Sequence, residues 1–294
     1  MNRIQAPGVL LIDKPLGITS HKAISIVKKT LGLSKIGHAG TLDPEASGLL
    51  ICLLNSATRL AKYAESGKKT YSGEIQFGIT TTTDDLAGEM LSQADNLPAF
   101  AQIESLAKKL VGKISQIPPQ YSAIKVSGKR SYELARSGRK AELSAREIEV
   151  FSFTLSPMLE GRVSFVLECS KGTYVRSIAR DLGEMLGCGA ALASLRREAS
   201  FPFNVNSASK LENVSAREIL SVKSLFSDVE HFEIEESNLP YFRNGNESQI
   251  NAVLKARGTN NSAPLAIYYE KKNLEQPLGL LHNSEGSWSI AVNF

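Results

Sequence analysis

Apolar residues recur along this chain in two periods, and the switches between them mark its elements. Val9-Leu10-Leu11-Ile12 is apolar at every position, as a strand covered on both faces requires, and Lys14-Pro15-Leu16-Gly17 turns the chain after it. From Ser20, a candidate N-cap, Ala23, Ile24, Val27 and Leu31 recur at three and four, with Lys28 and Lys29 facing out and Gly32 closing a helix. Leu49 to Leu54 is a second continuous run and predicts a central strand, after which Asn55 starts a helix carrying Leu60, Ala61 and Ala64. From Lys69 to Gly78 the pattern alternates, with Tyr71, Gly73, Ile75 and Phe77 on one face, the mark of a half-buried antiparallel strand. Residues 102–112 read as a modest amphipathic helix, and Ile148 to Leu155 and Val163 to Cys169 as strands. A helix then carries Val175, Ile178, Ala179, Leu182 and Leu186 in one stripe and ends at Gly187.

These elements predict an α+β chain. With 294 residues, 42% of them hydrophobic, it can bury one large core and still form a small second domain. An acidic run, Asp228, Glu230, Glu233, Glu235 and Glu236, marks the boundary, giving domains over 1–228 and 229–294. Beyond it, short β-prone pieces such as Leu265 to Tyr269 and Trp288 to Val292 predict a small all-β unit. The first apolar run is too short for a signal peptide core or a membrane span, so no membrane association is expected. Cys52, Cys169 and Cys188 lack paired spacing and read as reduced thiols, which suits the cytoplasm.

Charge separates the two parts. The net charge is +4, but residues 230–294 carry −3, leaving +7 on the rest. Basic pairs such as Lys68-Lys69, Lys129-Arg130 and Arg196-Arg197 each read singly as solvated surface, while their confinement to the larger part points to a polyanionic partner, with RNA first among candidates. Between about 115 and 145, Pro118-Pro119 interrupts regular structure, and a charge-rich stretch follows. There Tyr121 and Tyr132 interleave with Lys125, Lys129, Arg130 and Arg136, supplying rings for bases and charge for phosphates.

Candidate chemistry centres on the string His38-Ala39-Gly40-Thr41-Leu42-Asp43-Pro44-Glu45-Ala46-Ser47-Gly48. A carboxylate in a Gly- and Pro-bounded loop flanked by a helix and a core strand can be presented to a ligand from a rigid base. Alone, Asp43 would read as a turn residue accepting backbone hydrogen bonds. Lys171-Gly172-Thr173-Tyr174-Val175-Arg176 places a Tyr and an Arg at a helix N-terminus, which favours anions, but it lacks the Gly-rich approach of a phosphate loop. No dinucleotide fingerprint is present, and His21, His38, His231 and His282 show no metal-ligand spacing, so neither a cofactor nor a metal is expected.

The His38 to Gly48 string, the Lys69-Thr70-Tyr71 strand start and the Lys171 to Arg176 segment resemble, in order, motifs of the tRNA pseudouridine synthase B family. The resemblance runs from Gly8 to about Phe203, and Tyr241 to Asn246 resembles the start of a reduced PUA-type RNA-binding domain. It implies a pseudouridine synthase fold, a central and mostly antiparallel sheet with a cleft, closed by a PUA-like domain. It also implies isomerisation of uridine 55 in the tRNA T loop. Asp43 would be the nucleophile, attacking either the sugar carbon or C6 of the ring. Arg176 would pair with it and keep it ionised in a dry pocket. Tyr71 would stack on the uracil and handle the C5 proton. Lys69 and Asp85 would belong to the substrate site, Tyr174 would pack at the base, and Leu195 would line the far wall. His38 would enter the T loop beside the flipped nucleotide. The 115–145 stretch resembles the family's thumb-like insertion over the T arm. The reaction exchanges no electrons or atoms overall and so requires no cofactor. A monomer acting on tRNA is expected, and the alternative is a tRNA-folding protein whose catalysis is secondary.

Overall fold

The structure is a computed structural model describing residues 4–126, 128–139, 141–226, 229–256 and 264–294, with backbone alone at 136 and 274–276. The first strand, β1 (Gly8–Lys14), leads into helix α1 (Ser20–Thr30), then β2 (Ile36–Ala39) and β3 (Ala46–Leu54). A 3₁₀ segment over Asn55–Leu60 runs into α2 (Ala61–Ala64), followed by β4 (Lys69–Phe77) and a hairpin of β5 (Ile79–Thr81) with β6 (Met90–Gln93). Next come α3 (Phe100–Ala107) and β7 (Gly112–Gln116). The insertion follows, containing β8 (Lys125–Val126), β9 (Lys129–Arg130) and α4 (Ser131–Arg136). Strands β10 (Arg146–Leu155) and β11 (Arg162–Cys169) precede α5 (Val175–Leu186), and β12 (Ala190–Ser200), β13 (Phe203–Asn204) and β14 (Ser209–Lys210) complete the larger part.

Ten of these strands form one sheet, ordered β14-β1-β3-β12-β4-β11-β10-β7, with β2 alongside β3 and β13 alongside β12. Its pairings are antiparallel except β1 with β14 and β12 with β3. The continuous apolar run of β3 is explained by cover on both faces. Leu50, Cys52 and Leu54 pack with Ala23, Ile24 and Val27 of α1, while Leu49, Ile51 and Leu53 face the opposite core. The α5 stripe is buried against β4, β11 and β12 as its spacing predicts. Thr19, not Ser20, caps α1, its hydroxyl accepting from the Lys22 amide at 3.0 Å.

The C-terminal part contains β15 (Glu230–Ile234), α6 (Leu239–Arg243), α7 (Glu247–Ala256), β16 (Leu265–Glu270), β17 (Asn273–Ser284) and β18 (Ser287–Asn293). Its four strands form one sheet in the order β15-β16-β17-β18. The expectation of an all-β unit is therefore corrected. Leu239 and Phe242, with Ile250 and Leu254, give α6 and α7 an apolar face that packs on Tyr268, Leu281 and Trp288. Ile267, Tyr269, Leu280 and Val292 share a core with Val9, Leu11 and Leu49, so this sheet is docked against the large one.

Candidate active site

The loop from Gly40 to Glu45 joins β2 to β3 and carries Asp43. Because an isolated loop would not fix a carboxylate, the chain clamps this one from several sides. Ser20 donates its hydroxyl to the Leu42 carbonyl and accepts the Leu42 amide, both at 2.9 Å. The Pro44 carbonyl accepts from the Gly17 amide at 2.9 Å, with the Lys14 ammonium 3.5 Å away. At the other end the Gly40 amide donates to Glu65 Oε1 at 2.9 Å, and Arg197 Nη2 donates to the Gly40 carbonyl at 3.0 Å. Gly48 lets β3 run beside β12: at φ +102° a Cβ there would lie 2.3 Å from the Arg197 carbonyl oxygen.

Asp43 opens onto a cleft of about 410 Å³ lined also by Leu16, Ser72, Asp85, Arg176 and Leu195, a volume suited to a small ligand or a nucleoside. Arg176, on the first turn of α5, reaches Asp43 Oδ2 with Nη2 at 2.8 Å and lies 3.7 Å from Asp85 Oδ2 through Nη1. The same two nitrogens donate to the Thr83 and Tyr121 carbonyls, both at 3.1 Å. The guanidinium is 8% exposed and the Asp43 carboxylate 45%. Asp43 is thus less buried than the sequence predicts, because its loop stands at the rim of an open cleft. The threonines before Asp85 serve it: Thr83 Oγ1 donates to Asp85 Oδ1 at 2.5 Å and Thr81 Oγ1 to the Asp85 carbonyl at 2.6 Å.

Other candidates fall at different depths. Tyr71 is buried on β4, opposite Arg197 across the β4–β12 pairing. Burial pushes its phenol up, and the Arg197 guanidinium beside it opposes that shift. Tyr174 is the N-cap residue of α5, half-buried, with its backbone amide and carbonyl both bonded to the Gln116 side chain. Burial raises its phenol as well. His38 lies on β2 in register with Cys52, outside the cleft lining. Its pKa is lowered by burial, and its Nδ1 has no hydrogen-bond partner among the described residues.

Lys69 departs from the substrate-contacting place expected for it. It is buried, and its ammonium donates to the Glu65 and Gly67 carbonyls at 2.8 and 3.1 Å, where burial pulls its pKa down to about 8. The expected Arg196-Arg197 surface pair also divides. Arg197 is 1% exposed and donates Nε to the Leu49 carbonyl at 2.7 Å. Arg196 grips Asp13 through both terminal nitrogens, at 2.9 and 2.8 Å. Strand alternation is the cause, since neighbouring residues on β12 face opposite sides of the sheet. On the insertion, Lys125, Lys129 and Arg130 are exposed, with Arg130 stacked 5.9 Å from the Tyr132 ring centroid. The Arg136 side chain and Lys140 lie outside the described residues.

Sequence reasoning passed over Lys14 and Arg197, which hold carbonyls of the Asp43 loop and of the strand that follows it. Lys14 is fully buried, donates to the Pro15 and Ile18 carbonyls at 2.8 Å, and is pulled down to about 8 by burial. A lysine between the end of the apolar run and the Pro15 turn is the signal that marks it. Among the described residues no group of three or more His, Cys, Asp or Glu could hold a metal ion, and no helix is long and apolar enough to cross a membrane.

Comparison with known proteins bears on this site. Residues 28–175 match the profile of the TruB family pseudouridylate synthase N-terminal domain, and residues 176–228 that of the tRNA pseudouridylate synthase B C-terminal domain. The chain is 39% identical over 254 residues to the tRNA pseudouridine synthase B of Sinorhizobium medicae, covering 81% of this chain and 82% of that protein. With the Geobacillus thermodenitrificans protein of the same name it shares 42% identity, covering 71% and 72%. A Cbf5-Nop10-Gar1 complex structure contains a chain of the same fold, with a TM-score of 0.65 at 24% identity, covering 94% of this chain and 78% of that one.

Proposed function

The chain belongs to the TruB family of pseudouridylate synthases and makes pseudouridine in tRNA; from that premise we propose that it isomerises uridine 55 of the T loop, with Asp43 as nucleophile. The observation that carries this reading is the Asp43 carboxylate, held at 2.8 Å by a buried Arg176 at the mouth of a nucleoside-sized cleft.

The reaction breaks the bond from N1 to the sugar carbon, turns the ring, and joins C5 to that carbon while C5 gives up its proton. A carboxylate can add and leave at either the sugar carbon or C6, and Arg176 neutralises it without donating a proton at neutral pH. A stacked uridine is out of reach, so the nucleotide flips into the cleft at a cost of a few kcal/mol. The arriving RNA covers the half-exposed carboxylate and excludes water from it. Tyr71 packs against the base and relays the C5 proton, its hydroxyl accepting that proton while passing its own on to solvent. Leu195 lines the far wall, and Asp85 shares the guanidinium with Asp43. His38 supports the opened T loop, and Tyr174 closes the base of the site. On the insertion, Lys125, Lys129 and Arg130 hold T-arm phosphates, while residues 229–294 act as a PUA-like domain. The enzyme works as a cytoplasmic monomer without metal.

Chemical mapping of pseudouridine in tRNA from cells lacking this chain tests the target. The T-loop uridine is expected to remain unmodified while other pseudouridines persist. Retention of pseudouridine at that position would overturn the assignment.

A further inference from the structure

Arg176 does not aim itself. Two of its donors are spent on the carbonyls of Thr83 and Tyr121, which belong to two segments well separated in the chain. One helical turn later Arg180 grips the same two segments. Its Nη1 reaches Asp84 Oδ2 at 3.1 Å, next to Thr83, and its Nη2 donates to the Ile117 carbonyl at 2.8 Å, at the root of the insertion. Asp181 completes the cage, accepting from Nε and Nη2 at 2.9 and 2.7 Å. Residues four apart lie on one helix face, so the two arginines form successive rungs between the same uprights.

Asp84 shows that this turn is held in an unusual form. Its backbone sits at φ 62°, the left-handed region that Asp and Asn tolerate better than other non-glycine residues. The turn is also tied to β12, with the Leu192 amide donating to the Asp84 carbonyl and the Leu86 amide to the Leu192 carbonyl, both at 3.0 Å. Burial pushes the Asp84 carboxyl up and Arg180 opposes that shift. A partly buried carboxylate in a left-handed turn is a conspicuous use of an acid unless its partner matters.

We propose that Arg180 is a positioning residue for the Asp43–Arg176 pair: by binding Asp84 and the Ile117 carbonyl, it fixes the segments whose Thr83 and Tyr121 carbonyls orient the Arg176 guanidinium. Arg180 touches neither the cleft nor Asp43 and acts through Arg176 alone. The inference rests on the reading of Asp43 as nucleophile, so Asp43→Asn is measured in the same series.

The test is single-turnover pseudouridine formation on a T-arm hairpin, with hairpin affinity measured separately. Arg180→Gln should slow the step by about 10-fold or more and change affinity by less than about 2-fold. Asp84→Asn, which keeps a residue tolerant of the left-handed region, should slow it similarly, and Arg180→Lys should recover part of the rate. In an Arg176→Lys background Arg180→Gln should cost less than about 2-fold, because its route of action is gone. An undiminished rate in Arg180→Gln and Asp84→Asn would overturn the proposal. So would an equal loss with and without Arg176, or a loss confined to affinity. If Arg180→Gln does not fold, Arg180→Lys and Asp84→Asn carry the same comparison. Activity in Asp43→Asn would instead remove the reading on which the proposal rests, whereas an inactive Asp43→Asn beside a fully active Arg180→Gln would sink the proposal alone.

Discussion

Arg176 Nη2 and Asp43 Oδ2 lie 2.8 Å apart, and the two partners differ sharply in solvent exposure, at 8% for the guanidinium and 45% for the carboxylate. The buried partner is held by protein carbonyls, so it is the fixed member, and the acid is the one free to meet a substrate. Arg176→Lys keeps the charge but cannot serve Asp43, Thr83 and Tyr121 from one ammonium with the same geometry. Single-turnover pseudouridine formation should fall by about 100-fold or more, matching loss of charge-assisted hydrogen bonds worth about 3 kcal/mol. An unchanged rate would remove the aiming role.

Ser20 connects α1 to the Asp43 loop through two hydrogen bonds with Leu42, both fully inside the protein. Ser20→Ala leaves the Leu42 amide and carbonyl without that partner, at about 1–3 kcal/mol. A lower thermal midpoint together with a reduced turnover, at little change in RNA affinity, is the expected outcome. Wild-type turnover in Ser20→Ala would show that the loop holds its geometry without it.

Gly48→Ala should be far more damaging. Its Cβ would meet the Arg197 backbone at 2.3 Å in a conformation that L side chains rarely adopt. The parallel pairing of β12 with β3 would have to open, at more than about 4 kcal/mol. Soluble yield and urea unfolding check this, and a variant as stable as the wild type would contradict the close approach.

Lys14 makes stability depend on pH in a defined direction. Its pKa falls on folding from an ordinary 10.5 to about 8, mainly through burial. Below about pH 8 both the folded and unfolded chains hold the proton, and the burial penalty is present in full. Above it the folded chain gives up the proton first, so stability rises with pH toward 10.5. Lys69 acts the same way, whereas Cys52, pushed up to about 12, and Cys169, to about 11, act oppositely above their ordinary 9.0. Urea unfolding between about pH 7 and 9 should therefore show stability rising in the wild type and rising less in Lys14→Met. Equal slopes would rule out the Lys14 contribution.

Local pattern made the strands and helices legible where one period ran unbroken. Leu49 to Leu54 had to be a strand with both faces covered, and Ile178, Ala179 and Leu182 had to face a core. Long-range pairing was not legible. Nothing near Arg197 in the chain says that β12 runs parallel to β3, which buries that arginine behind the Asp43 loop instead of leaving it on the surface. Lys69 differs: its partners, the Glu65 and Gly67 carbonyls, are four and two residues back in the chain, but nothing in the residue types shows that the turn between them folds its carbonyls onto the ammonium. Helices α6 and α7 were hidden differently: Leu239 with Phe242 and Ile250 with Leu254 stand three and four apart, but Asn and Gly between them read as strand boundaries. The pairing of Asp43 with Arg176 came from the family resemblance, since the two are far apart in sequence and no periodicity links them.

The most direct test of the central claim is single-turnover conversion of a T-arm hairpin by Asp43→Asn, measured together with hairpin affinity. The isosteric amide keeps the loop clamps and removes the nucleophilic charge. The account predicts no pseudouridine formation with hairpin binding retained, and pseudouridine formed by Asp43→Asn at a rate near that of the wild type would contradict it.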